Sequence, residues 1–420
     1  MENKIYYGEY SLRHWIDLML KKDIVLPEYQ RSFVWDEKAV KRFIKSLKDK
    51  HFIPPVTIAH YKIQDDGNKT NLILDGQQRL TSILLAAIGF CPDKKKFKDS
   101  ETVIASDDDS ENDESETDAE KKKSIEWTFK ELLKNENNTV DEIKKNINAD
   151  EKYIHIKGLE VNDTFFDDTF LGFSYIVPTS EDKSEVQKSF SQTFREINYF
   201  GKSLSAQESR RALYFMNDEY KDFLDGKTEQ KDVLCSLTIT EKMKIYKIDF
   251  LRYLSILSQF KVQQSSLAVL KYYSSYASRE TFYADYISFI VGLEQESHEE
   301  KFDGCEMASL FPNNCWKKRF KKLYEIILSL TKILQLGEKK SKGSFDSWID
   351  ADYYLFGLIY HVLFEDKKID FTDKLFEEIR TAINEKRGDK NSAYSRSPNR
   401  LENLRERLNE SVKIYSKYVE

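Results

Sequence analysis

The stretch Asn71-Leu72-Ile73-Leu74-Asp75-Gly76-Gln77-Gln78-Arg79-Leu80-Thr81-Ser82 decides how the first half of this chain is read. Leu72, Ile73 and Leu74 form a short apolar run of strand type. Leu80, Ile83, Leu84, Ala87 and Ile88 then recur at i, i+3, i+4, i+7 and i+8, one face of a helix. Residues 75–79 therefore occupy a strand-to-helix turn. At such a turn the unbonded backbone N–H groups and the positive end of the helix dipole point at one spot, which suits an anion. Gly76 lets the backbone approach a ligand closely, and Arg79 can fork onto a phosphate. A phosphate-bearing ligand, most simply a nucleotide, is the first expectation.

Outward from the turn, the periodicity predicts a small α+β unit. Ser11 suits the N-cap of a helix reaching about Lys21, with Leu12, Trp15, Ile16 and Met19 on one face. Ile24-Val25-Leu26 is strand-like and stops at Pro27. Asp36 suits the cap of a helix from about Glu37 to Asp49 that uses Val40, Phe43, Ile44 and Leu47. Val56 to Ile63 and Asn71 to Leu74 read as two strands joined by the turn Asp65-Asp66-Gly67-Asn68. A short helix from Ser124 to about Lys134 and strands at Tyr153 to Ile156 and Phe173 to Val177 follow. From Glu185 onward the chain reads as helical, with runs near 240–260, 264–292, 316–336, 346–364, 370–386 and 398–418. Ser397 and Pro398 suit the N-cap and N1 of the last one. The expectation is an α+β domain over residues 1–225, followed by an all-α domain over 226–420.

Composition sets the outer limits. The chain has 420 residues, long enough for two or three domains, with 40% hydrophobic and 33% charged residues, as in a soluble protein with a real core. No run of about 18 apolar residues is found, so no membrane span is expected. Met1-Glu2-Asn3-Lys4 lacks the apolar stretch of a signal peptide. Cys91, Cys235, Cys305 and Cys315 form no CxxC pair and read as reduced thiols of a cytoplasmic protein. Net charge is −6, but residues 99–120 hold 11 acidic and no basic side chains, so the remainder carries −6 + 11 = +5. That excess alone is too small to argue for nucleic acid. The acidic stretch, with its basic close the insert 99–123, reads as disordered because it cannot bury enough surface to offset ordering entropy. It suits a solvated surface loop, a docking tail or a mimic of DNA phosphate.

Two further segments stand beside the turn. Pro27-Glu28-Tyr29-Gln30-Arg31-Ser32-Phe33-Val34-Trp35 sets an arginine among aromatic rings and amides. Phe194-Arg195-Glu196-Ile197-Asn198 leads through Gly201 into Leu204-Ser205-Ala206-Gln207-Glu208-Ser209-Arg210, where Ser205 and Glu208 are spaced as a capping box.

In this order, over roughly residues 8 to 220, the three motifs resemble the N-terminal domain of GmrSD-type (type IV) restriction enzymes, a family related to the N-terminal domain of the nuclease SspE. The resemblance implies a ParB/sulfiredoxin-like fold, a small mixed sheet with helices, that binds and often hydrolyses a nucleotide in defence against phage or modified DNA. It places Asp75, Gly76, Gln77, Gln78 and Arg79 at the nucleotide phosphates. It associates Tyr29, Gln30 and Arg31 with ligand contact, and sets Asn198 and Glu208 near the same cleft.

On chemical grounds Arg79 would offset phosphate charge, Gln77 or Gln78 could orient water, and Asp75 or Glu208 could hold Mg²⁺ or accept a proton. Competing structural roles stay open: Asp75 as a helix cap, Tyr29, Phe33 and Trp35 as packing, Glu208 as a cap. Downstream of residue 225 only His298 and His361 occur, far apart, so the paired-histidine HNH nuclease of the family is not expected. Sulfiredoxin chemistry needs a cysteine where Gln77-Gln78 stand. Tyr272, Tyr273, Tyr276, Tyr283 and Tyr286 with Lys271 and Arg279 suit either a stacking platform for single-stranded nucleic acid or an ordinary amphipathic helix pair. The helix after Pro398 mixes Arg396, Arg400, Arg405 and Arg407 with Glu402, Glu406 and Glu410, a salt-bridged surface.

The leading expectation is a cytoplasmic NTP-binding, NTP-hydrolysing sensor or regulator using Mg²⁺, with any nuclease or effector on a separate chain. A homodimer is compatible with the long C-terminal helices. The alternatives are a DNA-binding or DNA-cleaving enzyme with an unrecognised C-terminal site, and a non-catalytic interaction module that keeps the fold.

Overall fold

A computed structural model describes residues 3–420 except for 28–32, 63–68, 98–102, 105–126, 136–137, 181, 183–184, 187–188, 191–192, 194–196, 198–205, 216, 230, 235–236, 242–243, 266–278, 294–301, 335–343, 389–393 and 395–399. The chain divides into two units, one of residues 1–101 with 118–215 and one of 102–117 with 216–420. Of the acidic stretch, the described residues Val103–Ile104 belong with the second unit.

The first unit is built on a five-stranded mixed sheet. β1 (Asn3–Ser11) leads into α1 (Leu12–Leu20), then β2 (Ile24–Val25), α2 (Glu37–Lys48), β3 (Val56–Lys62), β4 (Lys69–Asp75) and α3 (Gln77–Ile88). Next come β5 (Phe90–Pro92), α4 (Val140–Asn148), β6 (Tyr153–His155), α5 (Asp163–Asp168), β7 (Phe170–Pro178) and α6 (Ala206–Tyr214). The strand order is β1-β7-β3-β4-β2. β3 and β4 are antiparallel, with Thr57 opposite Asp75. β2 runs parallel to β4, Val25 opposite Leu72, so both strands deliver the chain to the same edge of the sheet. β5 and β6 form a separate pair.

Local sequence accounts for most of these elements. Ser11 Oγ accepts the His14 N–H at 3.2 Å and Asp36 Oδ1 accepts the Ala39 N–H at 2.8 Å, so both expected caps start their helices. α1 buries Leu12, Trp15, Ile16, Met19 and Leu20, and α2 buries Val40, Phe43, Ile44 and Leu47, against one core shared with Val56, Ile58 and Ile73 of the sheet. α3 differs from the amphipathic expectation. Thr81, Ser82 and Leu85 are buried as well as its apolar face, because α1, α2 and α4 all pack around it. Burial all round marks the central helix of a layer. Gly89, with φ +81°, ends it by donating to the Leu85 carbonyl at 2.8 Å. The helix expected from Ser124 is a single 3-10 turn over Phe129–Leu132, and residues 124–126 lie outside the description.

The second unit is mainly helical but not all-α. Thr238–Glu241 pairs antiparallel with Lys244–Lys247, and Ser344–Phe345 and Val103–Ile104 join them in parallel as the flanking strands. A hairpin of β8 (Lys227–Thr228) and β9 (Lys231–Asp232) stands apart from that sheet. The helical run expected from 240 therefore begins only at Phe250. The strands are short, and Ile239, Tyr246 and Phe345 alternate with polar neighbours over too few residues to separate strand from helix. Val103–Ile104 is the one part of the 99–123 insert that the structure describes; it departs from the expectation of disorder by adding to a sheet edge.

α7 (Phe250–Gln263), α8 (Arg279–Ile290), α9 (Trp316–Ile333), α10 (Trp348–Ile359), α11 (Asp373–Gly388) and α12 (Leu401–Tyr415) make the body of this unit. Every residue of α10 is buried. It crosses α12 closely, where the Gly357 N–H donates to Ser411 Oγ at 2.8 Å and Ser411 Oγ donates to the Tyr353 carbonyl at 2.8 Å. Tyr283 and Tyr286 are core residues, and Tyr286 hydroxyl lies 2.7 Å from Ser258 Oγ, so these two offer no stacking platform. Tyr272, Tyr273, Tyr276, Lys271, His298, Arg396, Ser397 and Pro398 lie outside the described residues. Among the described residues, no helix is long and apolar enough to cross a membrane.

Candidate functional site

β4 ends at Asp75, and α3 starts two residues later. Gly76 makes the turn with φ +96°, a left-handed conformation that favours glycine. A Cβ on Gly76 would stand 2.8 Å from Val56 Cγ2 and 3.2 Å from Arg79 Nη2, so the turn is also closed sterically. The hydrogen bond from the Leu80 N–H to the Gly76 carbonyl, 2.9 Å, begins the helix. The first-turn N–H groups point out of its end.

Arg79 folds back over the turn. Its Nη2 lies 2.5 Å from Asp75 Oδ2 and 3.5 Å from the Pro55 carbonyl at the start of β3. The Arg79 side chain is 14% exposed, against 47% for Asp75, so the cation is mostly out of water while its carboxylate partner stays wet. Arg79 Nε is buried and has no hydrogen-bond partner among the described residues. A guanidinium has five N–H donors, and one carboxylate oxygen with a distant carbonyl leaves capacity for a further acceptor.

The two glutamines are buried, at 4% and 7% exposure, rather than presented at the surface. Gln78 Oε1 accepts the Val34 N–H at 3.0 Å. Phe33 N–H donates to the Trp127 carbonyl at 2.8 Å, and Lys94 Nζ to the Val34 carbonyl at 2.7 Å. The second motif is thereby fixed to the first at its Phe33–Val34 end, and Phe33, fully buried, packs edge-on against Trp127. At its other end the motif follows β2, which runs parallel to β4. Tyr29, Gln30 and Arg31 themselves lie outside the described residues, as do Asn198 and Ser205. α6 begins at Ala206, which places Glu208 in its first turn, the position expected for a capping box; its side chain is not described.

Sequence reasoning did not point to Pro55, Thr57 or Ser174. Thr57, opposite Asp75 across the β3–β4 ladder, has its hydroxyl 3.0 Å from Ser174 Oγ on β7. The one signal for this row is Pro54-Pro55, which stops the chain just before β3. Among the described residues, no three His, Cys, Asp or Glu side chains converge as a metal site. A cleft of about 150 Å³ beside α4, lined by Glu131, Asn135, Asn138, Glu142 and Tyr153 among others, contains none of the candidate residues. His361 is buried, and its Nε2–H donates to the Val412 carbonyl at 3.1 Å; burial holds its pKa below the usual histidine value.

Three comparisons bear on the chain. No solved structure matches it. An uncharacterized protein of Methanocaldococcus jannaschii is 30% identical over 99 residues, which cover 18% of this chain and 17% of the relative. The chain thus spans about a sixth of that relative's length. Residues 14–215 match the family model of the GmrSD restriction endonuclease, N-terminal domain, and the match stops where the first structural unit stops, at Phe215. Residues 14–215 of this chain are a GmrSD-type N-terminal domain.

Proposed function

We propose that the N-terminal unit binds a nucleoside triphosphate with Mg²⁺ at residues 75–79 and hydrolyses it, as the sensor or regulator of a restriction-type defence against phage or modified DNA. The observation that carries this reading is Arg79: a largely buried guanidinium at a left-handed glycine turn, with one carboxylate partner and a buried Nε that has no acceptor among the described residues. A phosphate supplies such acceptors in bidentate geometry. The family match is consistent with restriction-type work. The mixed sheet with helices supports a ParB/sulfiredoxin-like fold for this unit.

The residues present suit a metal that arrives on a nucleotide. Mg²⁺ is held by one or two carboxylates with phosphate and water oxygens, and Asp75, half-exposed at the strand end, provides one. When bound, the ion would neutralise phosphate charge. Arg79 would orient the phosphates, the Gly76 backbone would close on them, Gln77 or Gln78 would orient water, and Asp75 or Glu208 would accept its proton. Tyr29, Gln30, Arg31 and Asn198 would complete the nucleotide cleft. The protein would act in the cytoplasm on a separate nuclease or effector chain, alone or as a homodimer.

Calorimetric binding and phosphate release with a panel of NTPs and Mg²⁺ test this. Wild type should bind and hydrolyse at least one, and Arg79→Ala should lose both while melting as wild type does. DNA cutting that needs no nucleotide and survives Arg79→Ala would instead favour the DNA-cleaving reading, which the family's name also suits. A folded protein that binds no nucleotide at millimolar concentration would be an interaction module.

A further inference from the structure

α9 carries a charge pattern that its own folding does not explain. Five of its first eight residues are basic, Lys317, Lys318, Arg319, Lys321 and Lys322, and the first acidic residue is Glu325. Cations in the first turns of a helix oppose its dipole. Lys317 with Lys321 and Lys318 with Lys322 are like-charge pairs at i,i+4, which destabilise a helix further.

Two of the five have a structural task. Arg319 Nη1 donates to the Leu363 and Phe364 carbonyls, at 3.2 and 3.0 Å, and Lys322 Nζ reaches the Lys367 carbonyl and Asp366. These caps close the helical turn at the end of the segment that follows α10. The other three cap no carbonyl among the described residues, although Lys317 Nζ lies 5.3 Å from the centroid of the Trp316 ring. Lys317 and Lys318 are exposed, and Lys321 meets Glu229 at 3.0 Å in a solvent-facing pair of the kind that contributes little. They lie on the arc opposite the buried Trp316, Phe320, Leu323 and Ile327. The surface broadens on both sides: Lys231 of the hairpin sits over the Tyr324 ring, and exposed Lys367 and Lys368 follow the carbonyls that Lys322 caps.

We propose that the outward arc of α9, Lys317, Lys318 and Lys321, flanked by Lys231, Lys367 and Lys368, binds the phosphate backbone of duplex DNA without reading its sequence. Lysines on flexible stems act as point charges toward phosphate, and successive ones at i,i+4 are spaced by about 6 Å along the axis. Single strands would call for exposed rings on which bases stack. Here Trp316 is buried and Tyr324 is half-buried beneath Lys231, so the chemistry is that of backbone contact. This surface lies in the unit outside the family match and does not depend on the nucleotide reading.

The test is fluorescence anisotropy of the full chain with a labelled duplex of about 20 base pairs, two helical turns, from about 50 to 200 mM salt. Lys317→Gln, Lys318→Gln and Lys321→Gln combined should weaken binding at least tenfold at low salt. The slope of log affinity against log salt should fall by about 2.7, at 0.9 per lost phosphate contact. Lys144→Gln with Lys145→Gln, two exposed lysines of α4, removes charge elsewhere and should change little. The triple variant should melt no lower than wild type, since it relieves the like-charge pairs, and this shows the fold is kept. Unchanged duplex binding by the triple variant, an equal loss in the α4 control, or tighter binding of wild type to polyglutamate or single-stranded RNA than to duplex DNA would each overturn the proposal.

Discussion

Asp75 Oδ2 lies 2.5 Å from Arg79 Nη2, so the carboxylate of the turn occupies the guanidinium that a phosphate would engage. Ligand and carboxylate must therefore share Arg79, or Asp75 must find another cation. In the proposed site that cation is the nucleotide's Mg²⁺, which links metal and nucleotide binding through one side chain.

Asp75→Asn should uncouple the two. Losing the negative charge should tighten metal-free nucleotide binding about three- to tenfold, because Arg79 no longer has a competing anion. Mg²⁺ should then add little affinity, whereas in wild type it should add much. Calorimetry with and without EDTA reads both effects. Weaker metal-free binding in Asp75→Asn would mean that the pair organises Arg79 instead of masking it.

Gly76 and Gly89 bracket α3, and both have positive φ, but only Gly76 is crowded. Gly89→Ala meets nothing within 4 Å and should cost about 1 kcal/mol of backbone strain. Gly76→Ala adds a contact of 2.8 Å with Val56 Cγ2 and 3.2 Å with Arg79 Nη2, so it should cost more and also displace the guanidinium. Urea melts should rank the two, and only Gly76→Ala should lose nucleotide affinity. Equal melts with affinity kept in both would show that the crowding is relieved by small shifts.

How far the sequence could be read follows the range of the interactions. The two caps, Ser11 and Asp36, bond three residues ahead, and the strand-to-helix turn is spelled out by Asp75, Gly76 and the spacing of Leu80, Ile83 and Leu84. β1 went unanticipated: Ile5, Tyr6 and Tyr7 are exposed on both faces of an edge strand that exists only because β7 pairs with it. The bond between Gln78 and Val34 spans 44 residues, and nothing local to either residue announces it. Burial of Gln78 is likewise set by α1, α2 and α4 closing around α3, so a glutamine of the candidate turn also braces the neighbouring motif.

In the second unit, Asp352 is fully buried between two arginines. It accepts from Arg252 at 2.6 and 3.0 Å, from Arg407 at 2.9 Å and from Tyr253 hydroxyl at 2.8 Å, and the Arg252 guanidinium also lies 4.4 Å from the Trp348 ring. The two arginines hold its carboxyl below the usual range against the opposing effect of burial. Asp352→Asn should cost about 3–5 kcal/mol, since it leaves two buried cations uncompensated. Adding Arg252→Met and Arg407→Met should return part of that loss, because an apolar replacement of a whole buried network is tolerated better than a broken one. Chemical denaturation of the single and triple variants decides the matter: a single variant within about 1 kcal/mol of wild type would deny the network any stabilising role.

His361 adds a pH dependence near neutrality to the same unit. It lies in the π-helical turn Tyr360–Phe364 that continues α10, with Nε2 3.1 Å from the Val412 carbonyl of α12. Burial lowers its folded pKa from the ordinary 6.5, with the Val412 carbonyl and Glu365 opposing the shift and Lys367 adding to it. The unfolded chain therefore takes up a proton at a pH where the folded one does not. Its contribution to stability is complete above about 6.5 and is lost as pH falls from there through the folded pKa. His361→Gln keeps a side-chain N–H that can donate to Val412 but does not titrate. Melting temperature should fall as pH drops below about 6.5 in wild type, and this part of the fall should be absent from the variant. Carboxylates do not mimic it, since those of this unit with depressed pKa values, Asp352, Glu229, Glu365 and Glu378, start from 3.8 or 4.5 and act at lower pH. If the two proteins lose stability in parallel over that window, the α10–α12 crossing tolerates a charged imidazole, and the acid sensitivity of this unit originates elsewhere.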